Sequence, residues 1–211
     1  PSMLEFMDKI SIISVNNSLK VNLPLYEALL IFEIDGLKDE VKEGIKKIEK
    51  ILKEYKVKEV RIAKDEKERE VIYKTRSELF PSLSRYRKDL VAVSLAEDMA
   101  VPISKVGKAS LEIQRIAQRY SCVIAIYGHF GEGVIHTKLL INPRTKESWF
   151  NAKKSVEEIY SFISNLGGIP SGEHGIGITK APYLKERGIN LELMKRIKKA
   201  LDPAGILNPS K

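Results

Sequence analysis

Two apolar runs, residues 122–128 and 134–141, flank the segment His129-Phe130-Gly131-Glu132-Gly133. This pattern constrains the fold more than any other in the chain, because two strand-like runs joined by so short a glycine-containing stretch can only return on each other as an antiparallel hairpin. With a two-residue turn at Glu132-Gly133, Gly131 faces Val134, Phe130 faces Ile135 and His129 faces His136. Directly opposed residues hold their Cβ atoms roughly 4.5–5.5 Å apart, close enough for two imidazoles to share one metal ion. The third and last histidine, His174, lies in the glycine-rich segment Ser171-Gly172-Glu173-His174-Gly175-Ile176-Gly177.

A chain of 211 residues that is 43% hydrophobic can bury a core without covalent staples. Its single cysteine, Cys122, begins an apolar run and reads as a buried structural thiol, so no disulfide forms within the chain and a reducing, cytoplasmic setting is expected. The open alternative is peripheral membrane association through a partner protein. The longest apolar stretches, such as residues 28–32, fall far short of the roughly 20 residues a bilayer requires, and the N-terminus does not read as a signal peptide. A start at Pro1 that runs directly into Leu4-Glu5-Phe6-Met7-Asp8 reads as a fragment. The net charge of +8 and pI near 9.4 raise the question of nucleic acid. The lysines, however, alternate with glutamates along helical segments such as residues 37–50, as on a solvated helix face, and no basic stripe with interleaved aromatics is present. No nucleic-acid partner is therefore expected.

Strand-like and helix-like segments alternate along the whole length without a low-complexity linker, which predicts one continuous domain over residues 1–211. Strands are expected at 4–8, 28–34, 58–63 and 90–101, the last kinked around Glu97-Asp98 and closed by Pro102. Helices are expected at 37–55, 65–79 (stopped by Pro81), 104–120, 147–166 and 191–201. In the 104–120 helix the register Val106, Leu111, Ile113, Ile116, Ala117 predicts the buried face, and Trp149-Phe150 are expected to anchor the next helix in the core. The fold class is α+β, an antiparallel or mixed sheet covered by helices. Neither a Gly-x-Gly-x-x-Gly turn nor a Gly-x-x-x-x-Gly-Lys-Ser/Thr loop occurs, so the usual phosphate-binding loops are missing.

Opposed histidines are compatible with ordinary surface polarity. Their glycine-flanked settings and the neighbouring Glu173 also fit a metal site, since two neutral imidazoles and one carboxylate leave a coordination position open, as in catalytic zinc centres. Of Glu173 and His174, one could ligate while the other acts as a base.

Three motifs in order carry a family likeness: Gly128-His129-x-Gly-Glu-Gly-x-x-His136, Ser171-Gly172-Glu173-His174-Gly175-Ile176-Gly177, and Leu201-Asp202-Pro203-Ala204-Gly205-Ile206-Leu207-Asn208-Pro209. Together they resemble the C-terminal half of the FAD-linked oxidases, a group that includes D-lactate dehydrogenases, the flavin subunit of glycolate oxidase and D-2-hydroxyglutarate dehydrogenase. The resemblance extends over essentially the whole chain. It implies a substrate or cap domain on a ferredoxin-like antiparallel sheet that closes over a flavin held mainly by an N-terminal domain absent from this chain. It further implies a divalent metal, zinc or manganese, on His129, His136 and Glu173, with His174 as general base toward a small 2-hydroxy acid. Arg76 and Lys138 become candidates for the substrate carboxylate, and Asn208, in a tail that returns toward the flavin domain, a candidate FAD contact. On its own the chain is expected to be inactive, its partners being the flavin domain or a flavoprotein subunit and an electron acceptor that the sequence does not identify.

The motif departs from the family pattern at Glu132 and Val134, where Asp and Asn are usual, and at Lys138, where hydroxyglutarate-oxidising members carry Asn. These differences bear on substrate identity more than on metal binding and do not favour hydroxyglutarate; the expected substrates are glycolate or D-lactate. The rival readings are a free-standing module that only docks to a flavoprotein and a metal-dependent hydrolase built on the same three ligands.

Overall fold

The computed structural model describes residues 1–187 and 191–209. Its strands are β1 (Met3–Asp8), β2 (Ala28–Glu33), β3 (Val91–Val93), β4 (Met99–Ala100), β5 (Val123–His129) and β6 (Val134–Ile141). Its α-helices among those residues are α1 (Lys9–Leu19), α2 (Lys38–Glu54), α3 (Glu66–Ser77), α4 (Leu79–Ser82), α5 (Val106–Arg119), α6 (Lys146–Asn165) and α7 (Leu191–Leu201). Every strand pair is antiparallel, in the order β2-β1-β5-β6-β3, and β4 pairs with the other end of β6. The fold is therefore the expected α+β arrangement, with a wholly antiparallel sheet.

Both sheet faces are covered, which explains why all eight residues of β6 are buried. On one face Ile124, Ile126, Ile135 and Leu139 pack with Ile113 and Ile116 of α5 and Ile159 and Ile163 of α6. On the other, Met7, Ala125 and Leu140 pack with Ile12 and Val15 of α1 and with Leu79 and Leu83 at α4 and just beyond it.

The hairpin differs from expectation by two residues. Tyr127, not His129, lies opposite His136, and residues 130–133 form the turn, closed by Glu132 N–H donating to the His129 carbonyl at 3.0 Å and Gly133 N–H to that of Phe130 at 3.3 Å. Because side chains alternate with a period of two, a slip of two leaves His129 and His136 on the same face, as diagonal neighbours. Gly133 has φ +80°, and a Cβ there would lie 2.2 Å from the Val101 carbonyl oxygen. Gly133→Ala is therefore expected to cost about 1–3 kcal/mol or more, through left-handed backbone strain plus that clash, measured as a lower urea midpoint.

Other elements also depart from the sequence reading. Residues 58–63 form no strand: Val60 and Ile62 remain 48% and 45% exposed, so their alternation buries no apolar face. α1 was not foreseen. Its sequence is rich in β-branched residues, serine and asparagine, and it is held by its start, where the Asp8 carboxylate accepts from Ser11 N–H at 2.8 Å while its other oxygen accepts from Ile126 N–H at 3.0 Å. Burial pushes the Asp8 carboxyl up to about 6. Pro81 does not stop a helix but sits in the first turn of α4, where its missing N–H is tolerated. Leu111, Trp149 and Phe150 are 58%, 44% and 63% exposed, contrary to the expected core roles. In α5 the buried face runs through Ala109, Ser110, Ile113, Ile116 and Ala117, away from Leu111. Trp149 instead donates its Nε1 hydrogen to the Pro143 carbonyl at 3.2 Å, at the outer end of α6.

The expected kinked strand at 90–101 is two short strands, β3 and β4, on the same edge of β6, with residues 94–98 looped out between them. Asp98 lies at the return, with φ 61°. Among the described residues no helix is long and apolar enough to cross a membrane.

Candidate functional site

The alternation that buries Met7, Ala125 and Leu140 also carries a polar strip along the same face. Glu5 of β1 lies opposite His129 of β5, and Met7 opposite Tyr127, which in turn faces His136 of β6. Lys138 follows two residues on. Arg76 in the last turn of α3 and Phe80 of α4 complete the wall of a cavity of about 350 Å³.

The segment containing Glu173 and His174 reaches this strip because one side chain holds it there. Asp98 is fully buried, and its Oδ1 accepts from Glu173 N–H at 2.9 Å while Oδ2 accepts from His174 N–H at 2.8 Å and Ser171 Oγ at 2.7 Å. The buried Lys180 ammonium donates to the same Oδ2 at 3.0 Å, and the Asp98 backbone carbonyl accepts from Gly172 N–H at 2.7 Å. Burial pushes the Asp98 carboxyl up, but the bonds from Ser171, His174, Glu173 and Lys180 together outweigh it and bring the group down to about 2.

Held in this way, Glu173 Oε1 lies 3.2 Å from His129 Nε2 and 3.4 Å from His136 Nε2. The donor atoms of these three residues all fall within 4.8 Å of one another. The His129 and His136 ring centroids are 5.1 Å apart and nearly perpendicular, and the His174 ring stacks on His136 at 5.1 Å with a 13° tilt. Burial, with the nearby His129 and His174, holds the His136 imidazole below its ordinary pKa, so it is neutral at pH 7 and has a ring lone pair to give. Among the described residues its buried Nδ1 has no hydrogen-bond partner.

On the opposite side of His129, Nδ1 lies 2.7 Å from Glu5 Oε1, and Arg76 Nη2 approaches that same oxygen at 3.3 Å and Nδ1 at 3.2 Å. The Lys138 ammonium is buried and bonded to Ser94 Oγ and the Glu97 carboxylate, over the Phe80 ring. Lys138 thus neutralises a carboxylate of the protein itself. His174 Nδ1 stands 3.9 Å from Glu97 Oε1.

The structure thus brings His129, His136, Glu173, His174, Arg76 and Lys138 to one cavity or its rim. Asn208 is not among the residues that line it; it is exposed in the C-terminal tail with φ 48°. Sequence reasoning missed Glu5 and Lys180 altogether and took Glu97-Asp98 only as a kink. A signal was present, since Glu5 interrupts an apolar strand and Glu97-Asp98 interrupts another. Charged residues in such runs require buried partners.

A family model for FAD linked oxidases, C-terminal domain, matches residues 1–211. Glycolate oxidase subunit GlcD of Bacillus subtilis is 34% identical over 216 residues, covering 100% of this chain and 45% of its own length. D-lactate dehydrogenase of Archaeoglobus fulgidus is 34% identical over 154 residues, covering 72% of this chain and 33% of its own length. The chain therefore spans less than half the length of these curated relatives. Among solved structures, 4-ethylphenol oxidase from Gulosibacter chungangensis aligns with a TM-score of 0.67 at 14% identity, over 99% of this chain and 47% of that one. At that identity the likeness shows the fold alone.

Proposed function

The chain belongs to the C-terminal domain family of the FAD linked oxidases, and from that premise we propose that it is the substrate-binding cap of an FAD-dependent 2-hydroxy-acid dehydrogenase of the glycolate or D-lactate type. The observation that carries the reading is the convergence of His129 Nε2, His136 Nε2 and Glu173 Oε1 beside the His174 ring. Two ring nitrogens facing one carboxylate oxygen at 3.2 and 3.4 Å form a donor set suited to a divalent cation, and the neutral state of His136 fits it. A zinc or manganese ion held there would supply Lewis acidity toward the substrate hydroxyl and carboxylate, and FAD, when bound by the flavin domain or a flavoprotein subunit, would supply the two-electron acceptor.

The remaining work falls to the chain's own side chains. His174, stacked at the cavity rim and outside the three-donor set, takes the hydroxyl proton. Arg76 spends one nitrogen on Glu5 and keeps further N–H groups for the substrate carboxylate. Lys138 and Glu97 neutralise each other and hold the wall behind. Phe80 and Met7 exclude water from that side. The partners of this reading are a small 2-hydroxy acid, the flavin-bearing domain or subunit, and an acceptor for the electrons.

The test is a calorimetric titration of the chelator-treated 211-residue chain with zinc and with manganese. One ion per chain is expected for at least one of them, with affinity lowered more than about 100-fold in His136→Ala and in Glu173→Ala, since even outer-shell changes cost 10–100-fold. A wild-type chain that takes up neither ion would end the metal reading.

A further inference from the structure

We infer that Glu5 is the positioning residue that selects the tautomer of His129 and thereby sets the divalent-ion affinity of the site. This rests on the reading of His129 as a ligand given above. Glu5 lies directly opposite His129 in the β1–β5 ladder and is 6% exposed, among the most buried acidic side chains described. A carboxylate in that position costs free energy unless it is hydrogen-bonded, and an ionised carboxylate can only accept. Its polar neighbours are His129 Nδ1 at 2.7 Å and Arg76 Nη2 at 3.3 Å, both meeting Oε1.

The guanidinium has only hydrogens to offer, so the 2.7 Å contact requires Nδ1 to carry a hydrogen as well. A neutral imidazole has one N–H. With it at Nδ1, the His129 Nε2 lone pair points at Glu173 Oε1, 3.2 Å away, where the His136 Nε2 also converges. Two acceptors then face each other beside His136 Nε2, an arrangement that a cation between them relieves. In the other tautomer, His129 Nδ1 accepts from Arg76 Nη2 at 3.2 Å and Nε2–H donates to Glu173, which closes that nitrogen to an ion. The anionic charge of Glu5 decides between the two states. It also accepts from Arg76 Nη2 at 3.3 Å and so holds the guanidinium at the cavity wall.

The experiment compares zinc titrations of the wild-type chain and of Glu5→Gln, which keeps the shape of the side chain and removes its charge. The affinity of the variant is expected to fall 10–100-fold with the stoichiometry unchanged at one. In parallel, nitrogen-15 NMR of the zinc-free chains, labelled at histidine, should show His129 protonated at Nδ1 in the wild type and shifted toward the Nε2 tautomer in Glu5→Gln, a change that a merely structural role for Glu5 would not produce. Equal zinc affinity in the two chains overturns the inference. So does a zinc-free wild-type chain with His129 protonated at Nε2, which decides the matter even if the variant fails to fold. A wild-type chain that binds no zinc overturns the ligand reading itself, and this inference with it.

Discussion

Asp98→Ala is expected to lower the unfolding free energy by about 3–5 kcal/mol and to release the segment that carries Glu173 and His174. The first effect follows from what remains. Lys180 is 7% exposed and bonds the Asp98 carboxylate, so truncation leaves a buried ammonium without its counterion, the costly way to break such a pair. The second follows from the geometry, since the amides of Glu173 and His174 and the Ser171 hydroxyl all donate to the two oxygens that would be lost. The same carboxylate gives a pH dependence of definite sign. Its folded pKa, about 2, lies below its ordinary 3.8, so its stabilisation is fully present above about pH 4 and is lost as pH falls through 2. A shift of that size corresponds to about 2 kcal/mol. Urea unfolding at pH 7 measures the loss of stability, and the acid limb between pH 4 and 2, compared with Asp98→Asn, measures the pH dependence. A change under about 1 kcal/mol in Asp98→Ala would show that the segment is held by something other than this residue.

His174→Ala, in the enzyme assembled with its flavin partner, is expected to lower turnover of the 2-hydroxy acid by about 10²–10⁴, the range that one positioned general base contributes. Ion stoichiometry should stay at one, because the three-donor set is complete without His174. Steady-state kinetics together with metal analysis of the same preparation separates base from ligand. Loss of the ion along with activity would make His174 a ligand, and unchanged turnover would remove it from the chemistry.

How much of this was legible in the sequence depended on whether the pattern itself carried the physics. Long amphipathic helices such as α5 and α6 were placed within a residue or two, because their apolar period is set by the face they bury. The hairpin was identified but its turn misjudged by two residues, since alternation fixes which face a side chain takes and leaves the pairing open. The 58–63 segment shows the converse, a strand-like alternation that forms no strand. α1 was invisible because its stability comes from the Asp8 cap and from packing rather than from propensity. At the site, the histidines, Glu173 and Arg76 stood out by motif. Glu5, Glu97 and Asp98 did not, because their significance lies in partners between 41 and 124 residues away in the chain.

The site divides between two kinds of support. The imidazoles of His129 and His136 belong to the central hairpin of the sheet, whereas Glu173 and His174 hang from Asp98 on an irregular segment. Because the amides of Glu173 and His174 and the Ser171 hydroxyl end on one side chain, Glu173 and His174 form a cassette that is exchangeable as a unit. Diversification of substrate scope within such a lineage can proceed by rewriting a few loop residues around a fixed anchor, while the folding information in the sheet passes on unaltered.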